Sequence, residues 1–139
     1  MVGLGEAASV VAVIQISERI LSLCTKYYLK VRDAKEDIKR LQGEVEGLRD
    51  VLKKVLELVE GPGAARLPTS GLLAGRIQQC SSELQDLGNR LDPAQKGAMK
   101  RLGFRALKWP FTGEDVNKSI AMLERHKTTL NLALNADQT

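Results

Sequence analysis

Residues 31–59 read VRDAKEDIKRLQGEVEGLRDVLKKVLELV, and the apolar positions in this stretch decide the fold. Val31, Ala34, Ile38, Leu41, Val45, Leu48, Leu52, Val55 and Val59 follow one another at alternating steps of three and four. Such spacing lines one side of a helix, so it predicts a single long helix over roughly residues 26–59. The other side is dense in charge, with Glu36 before Arg40 and Asp50 before Lys54 in the order that stabilises a solvated helix face. Gly61, Pro62, Gly63 and Pro68 then end the pattern, making Gly61–Pro68 the clearest loop in the chain.

Helical periodicity continues on both sides of this element. Leu73, Ile77, Cys80, Leu84, Leu87 and Leu91 form the seam of a further helix, with Thr69 or Ser70 available as its cap. Asp92-Pro93 has the form of a new helix start, Asp as N-cap and Pro in the first turn, and leads into a short amphipathic piece over Ala94–Leu102 that Gly103 ends. Thr112 with Asp115 three residues later resembles a capping box in which Asp replaces the usual Glu or Gln. The helix it opens carries Val116, Ile120, Leu123, Leu130 and Leu134 on one stripe. At the other end of the chain, Ala7–Ser17 has no charge and little polar face, so a helix there should be buried on most sides. No stretch alternates with period two. The expected fold is all-α: a bundle of four main helices plus one short amphipathic helix, with the first helix central or sandwiched.

Composition fits a folded chain. The 139 residues are enough for one domain with a core and too few for two, so residues 1–139 are expected to form a single domain, with an effector or receptor region following residue 139. Hydrophobic residues make up 43% and charged residues 27%, which argues against wholesale disorder and against a polytopic membrane protein. Cys24 and Cys80 have no C-x-x-C spacing and sit among apolar helical positions, as expected of two free, buried thiols in a reducing compartment. The N-terminus lacks a basic region and carries Glu6, unlike a secretory signal, and the expected resting location is cytoplasmic.

An enzyme reading finds few residues to work with. His126 is the one histidine and has no nucleophile signature near it, so it reads as a helix-surface or seam-edge residue. Two isolated cysteines and one histidine make no zinc spacing, and Gly3 and Gly5 do not follow a strand as a phosphate loop would. The expectation is a non-enzyme with no metal, no cofactor and no small-molecule substrate.

Two amphipathic features remain. Ala7–Thr25 is interrupted only by Glu18-Arg19, and at about 1.5 Å per residue it is about 28 Å long, close to the hydrocarbon thickness of a bilayer. Adjacent Glu and Arg are costly at mid-membrane for a lone helix, and less so in an oligomer where they face a wet lumen. The alternative is a helix buried in the bundle, and the two readings are compatible as two states. The second feature accounts for the net charge of +4: residues 93–111 contain Lys96, Lys100, Arg101, Arg105 and Lys108 with no acid. Met99, Leu102, Phe104, Leu107, Trp109 and Phe111 are interleaved with them, a mixture suited to an anionic membrane interface. Nucleic-acid phosphates would attract the same charges, and Trp109 and Phe111 suit core packing at a helix corner equally well.

The residues also carry a family resemblance. Met1–Gln15, with Gly3 and the run Ala7-Ala8-Ser9-Val10-Val11, resembles the N-terminus of the HeLo-like domains of fungi. The long helix with Asp33-Ala34, Ile38, Leu41, Glu44, Leu48 and Val51-Leu52 looks like their second helix. Leu107-Lys108-Trp109-Pro110-Phe111, followed by Val116, Leu123-Glu124-Arg125-His126-Lys127 and Leu130-Asn131-Leu132-Ala133-Leu134, is similar to the closing helix of the N-terminal domain of fungal STAND receptors, the NLR-like proteins.

That resemblance implies a cell-death execution domain of fungal innate immunity or heterokaryon incompatibility, which oligomerises on activation and permeabilises the plasma membrane through its N-terminal helix. Leu4, Val10, Val11, Val13, Ile14, Ile16, Ile20 and Leu21 would be the inserting residues. Glu6 would ring a pore mouth, or simply compensate the helix dipole. Lys96, Lys100, Arg101, Arg105 and Lys108 would face anionic lipids, and Trp109, Pro110 and Phe111 would be a structural family motif. The implied partners are anionic membrane lipids, further copies of the chain, and an NLR receptor or amyloid template. The competing reading is a helical protein–protein signalling adaptor without membrane activity. A nucleic-acid-binding bundle is not expected, since nothing places the basic stretch in a groove.

Overall fold

A turn divides the long helix that the sequence predicts. The computed structural model describes residues 2–61, 70–92 and 108–138, with side chains described for 7–61, 73–92 and 108–135. The first helix, α1 (Val2–Lys30), takes in residues expected at the start of the second, and α2 spans Lys35–Glu60. Val31–Ala34 form the corner between them. The seam hides this break because Val31 and Ala34 stay half-buried on either side of it. Other chemistry marks the corner: Lys30 stands in the last turn of α1, while Glu36 and Asp37 stand in the first turn of α2, each sign matching its end of the helix dipole. Lys35 Nζ also donates to the Tyr28 carbonyl at 2.8 Å, satisfying one of the acceptors that the end of α1 leaves open.

Helices α3 (Ser70–Leu91) and α4 (Gly113–Gln138) complete the described structure, which contains no strand. All six predicted seam residues of α3 are buried. The capping box of α4 forms as its sequence suggests: the Asp115 N–H donates to Thr112 Oγ1 at 3.1 Å, and the Thr112 N–H donates to Asp115 Oδ2 at 3.0 Å. That second bond holds the Asp115 carboxyl below its ordinary range. Gly61 lies at the end of α2, while the rest of the Gly61–Pro68 loop, the short helix over Ala94–Leu102 and the cap at Thr69 fall outside the described residues.

The helices pack in a ring, α1 on α2, α2 on α4, α4 on α3 and α3 on α1; among the described residues, α1 and α4 do not pack against each other, nor do α2 and α3. Contacts near the ends give the directions. Gln42 meets Thr25, so α2 runs antiparallel to α1, whereas Arg19 meets Asp92, so α3 runs parallel to α1. The ring encloses Val10, Val13, Ile20 and Cys24 of α1, Ile38 to Val59 of the α2 seam, Leu84 and Leu91 of α3, and Val116, Leu123 and Leu130 of α4.

Among the described residues the first helix is flanked by α2 and α3 as one of four sides of the ring, not central to it, and it leaves one face to water. The reason is the make-up of its outer face. Its outward positions Ala8, Ser9, Ala12, Gln15, Glu18 and Ser22 are small or polar, so water can cover that face at little cost.

Candidate functional site

The residues expected to enter a membrane lie on the inner side of α1. Val10, Val13, Ile14, Ile20 and Leu21 are buried, and Val11 and Ile16 are half-buried. Leu4 and Glu6 belong to the helix, but their side chains are outside the described set. The helix runs 24 residues from Ala7 to Lys30, and its most apolar 18-residue stretch has a mean hydropathy of 1.5, enough by length and composition to cross a membrane; 44% of that stretch is buried. No other helix of that kind occurs among the described residues. Ser17 is fully buried yet satisfied, since its hydroxyl donates to the Ile14 carbonyl at 2.6 Å.

The awkward pair Glu18-Arg19 separates in the folded chain. Glu18 is exposed, while Arg19 reaches across to α3 and places Nη2 2.6 Å from Asp92 Oδ2. Its path runs over Gly88, where an added Cβ would stand 3.2 Å from Arg19 Nη1. Two turns further along α1, the Tyr27 hydroxyl donates to the Leu91 carbonyl at 2.6 Å, satisfying an acceptor at the end of α3. Burial, helped by the negative charge of Asp92, pushes the Tyr27 phenol up to about 12.

An aromatic chain extends this clasp towards α4. Trp109 meets Tyr27 edge-on at 5.3 Å between ring centroids and meets Phe111 in the same way at 5.2 Å. The Arg90 guanidinium covers the Phe111 ring at 4.4 Å and approaches Asp115 Oδ2 at 3.5 Å. Trp109 and Phe111 thus pack at a helix corner, and Pro110 is half-buried between them. Of the expected basic patch, Lys108 is exposed beside this corner; Lys96, Lys100, Arg101 and Arg105 lie outside the described residues.

Periodicity did not expose these long-range partners, and one local signal was available. The α4 stripe jumps seven residues from Leu123 to Leu130, and His126 occupies the missing seam position. It is buried, not on the helix surface, with Nε2 2.9 Å from Glu83 Oε2 of α3. On the other side of α4, Lys127 reaches over Gly47 to Glu44 Oε2 at 2.9 Å. Cys24 and Cys80 are free and buried, and burial pushes both thiols up to about 12. A groove of about 230 Å³ between α3 and α4 has Glu83, Asp86, Arg90, Asp115 and Lys118 in its lining, most of them engaged in ion pairs. Among the described residues no cluster of three or more His, Cys, Asp or Glu is placed to hold a metal ion.

The family model for the pigment biosynthesis cluster protein PigL N-terminal region matches residues 2–138, nearly the whole chain. The chain belongs to the PigL N-terminal family. No curated protein and no solved structure matches it. In this chain the feature with a distinct physical character is α1: a helix with an apolar stretch near membrane length that forms one side of the ring, held by an ion pair and a buried hydrogen bond at its C-terminal half.

Proposed function

We propose that this chain is a non-catalytic cell-death execution domain of the HeLo-like type, acting in fungal innate immunity or incompatibility. At rest it is a cytoplasmic bundle. When a receptor or an amyloid template gathers copies, α1 leaves the ring, the copies associate, and the helix permeabilises the plasma membrane. The observation that carries this reading is the position of α1. Its most apolar 18 residues are about 27 Å long, close to a hydrocarbon core of about 30 Å, and among the described residues two helices, α2 and α3, pack against it. Leaving the ring therefore breaks two helix seams and the Arg19 and Tyr27 contacts while α2–α4 and α3–α4 packing remain. Assembly biases such a two-state element by raising local concentration. The HeLo-like resemblance supplies the biological setting.

Dye release from vesicles containing anionic lipid tests this function. The chain, oligomerised through a fused tag, is expected to empty them, and a form lacking residues 1–17 is expected to leave them intact. Equal release by both forms would contradict the role of α1, and no release by either would favour the signalling-adaptor reading.

A further inference from the structure

The corner between α1 and α2 carries a surface that the membrane reading does not use. Leu29 is 72% exposed, and Leu132 at 65% is the other large hydrophobic residue so exposed among the described residues. Their surroundings differ. Leu132 has Thr128, Thr129 and Asn135 as its nearest neighbours along the helix face, with no charge among them. Leu29 sits among exposed charges in which cations prevail, Lys30, Arg32, Lys35 and Lys39 against Asp33 and Glu36. Lys35 and Lys39 are ordered over the Tyr28 ring, with Nζ 4.3 Å and 5.4 Å from its centroid. Lys30 and Arg32 make no ion pair among the described residues. Residues 26–40 hold six basic and three acidic groups, and one acid, Asp37, already lies 3.6 Å from Arg40.

We infer that this corner is a docking surface for an anionic lipid bilayer, with Leu29 entering the interface while Lys30 and Arg32 meet headgroup phosphates and carboxylates. Charge complementarity favours an acidic partner. Exposure favours a bilayer, because Leu29 projects 72% exposed at the turn of the α1–α2 hairpin, and lipids deform around a projecting leucine flanked by cations. One further cation lies at this end of the bundle: exposed Lys108 precedes Trp109, whose ring packs on Tyr27. In this arrangement the resting bundle meets the membrane by the C-terminal end of α1 before that helix moves. The inference takes its partner class from the proposed function but does not require α1 to be released.

Co-sedimentation with vesicles of phosphatidylcholine, with and without phosphatidylserine, tests it on the full chain. A Lys or Arg near an anionic leaflet contributes about fivefold in affinity, so Lys30→Gln with Arg32→Gln should weaken binding to the anionic vesicles by about thirtyfold. Leu29→Ser should weaken it as well, whereas Lys53→Gln with Lys54→Gln, on an exposed part of α2, should change it less than threefold. Binding should need the anionic lipid and fall with added salt. Equal losses for both double variants would overturn the inference, as would RNA or DNA binding by a chain that ignores vesicles. If the corner variants bind and empty vesicles as the parent does, the corner is wrong and the membrane function stands. If the parent binds through the corner but dye stays inside even on oligomerisation, the corner stands and the proposed release of α1 fails.

Discussion

Arg19 of α1 and Asp92 at the end of α3 are 73 residues apart in sequence and form an ion pair of 2.6 Å in the fold. The pair converts a charge that would oppose membrane entry into a contact that holds the helix in the ring. Both side chains are partly exposed, which limits its contribution to about 1 kcal/mol. Arg19→Gln and Asp92→Asn should each lower stability by about that amount, and the double variant by less than the sum. Urea unfolding of the four forms measures this coupling. Under the proposed function Arg19→Gln also empties vesicles faster than the parent, because α1 is released more easily.

Tyr27→Phe isolates the second tether. The ring remains to pack against Trp109, and only the hydrogen bond to the Leu91 carbonyl is lost. Leaving that buried acceptor open should cost about 1–3 kcal/mol, read as a lower denaturation midpoint with an unchanged slope.

Stability should fall at alkaline pH. The thiols of Cys24 and Cys80 are raised from 9.0 to about 12, and the Tyr27 phenol from 10.0 to about 12. An unfolded chain releases these protons earlier than the folded one, so the stabilisation is complete below about pH 9 and is lost as pH rises towards 12. Denaturation midpoints at pH 8, 10 and 11 should decline, and Cys24→Val should decline less steeply. A parallel decline in both would contradict this assignment.

The helical glycines separate into two kinds. Gly43 and Gly75 have nothing within 4 Å of an added Cβ, so Gly43→Ala and Gly75→Ala should each add up to about 1 kcal/mol through helix propensity. Gly88→Ala should gain less, since its Cβ would stand 3.2 Å from Arg19 Nη1 and the guanidinium must shift. Thermal melts of the three variants test the ranking.

Much of this fold is legible in the sequence, and the exceptions have physical causes. The seams of α2 and α3 and the Thr112–Asp115 cap depend on local spacing, and they form as read. The α1–α2 corner is masked because one apolar stripe can continue across a turn that contains neither Gly nor Pro. The peripheral place of α1 is missed when polarity is judged by charge alone, since Ala8, Ser9, Ala12 and Ser22 make a face that tolerates water without being charged. Asp92, Leu91 and Glu83 gain their partners only through tertiary packing, which no local pattern encodes. The cationic corner is hidden in the charge of its surroundings: residues 26–60 hold nine basic and eight acidic groups, a near balance that conceals the excess in their first half.

Ala12→Glu tests the central claim most directly. Ala12 lies on the exposed face of α1, so a carboxylate there leaves the ring packing in place, unlike a charge at fully buried Val13. In a bilayer the same carboxylate stands within the apolar span, where charge is strongly disfavoured. With the two forms oligomerised alike and matched in thermal stability, release of dye from anionic vesicles is expected from the parent and not from Ala12→Glu. Undiminished release by Ala12→Glu would contradict the claim that α1 leaves the bundle to enter the membrane.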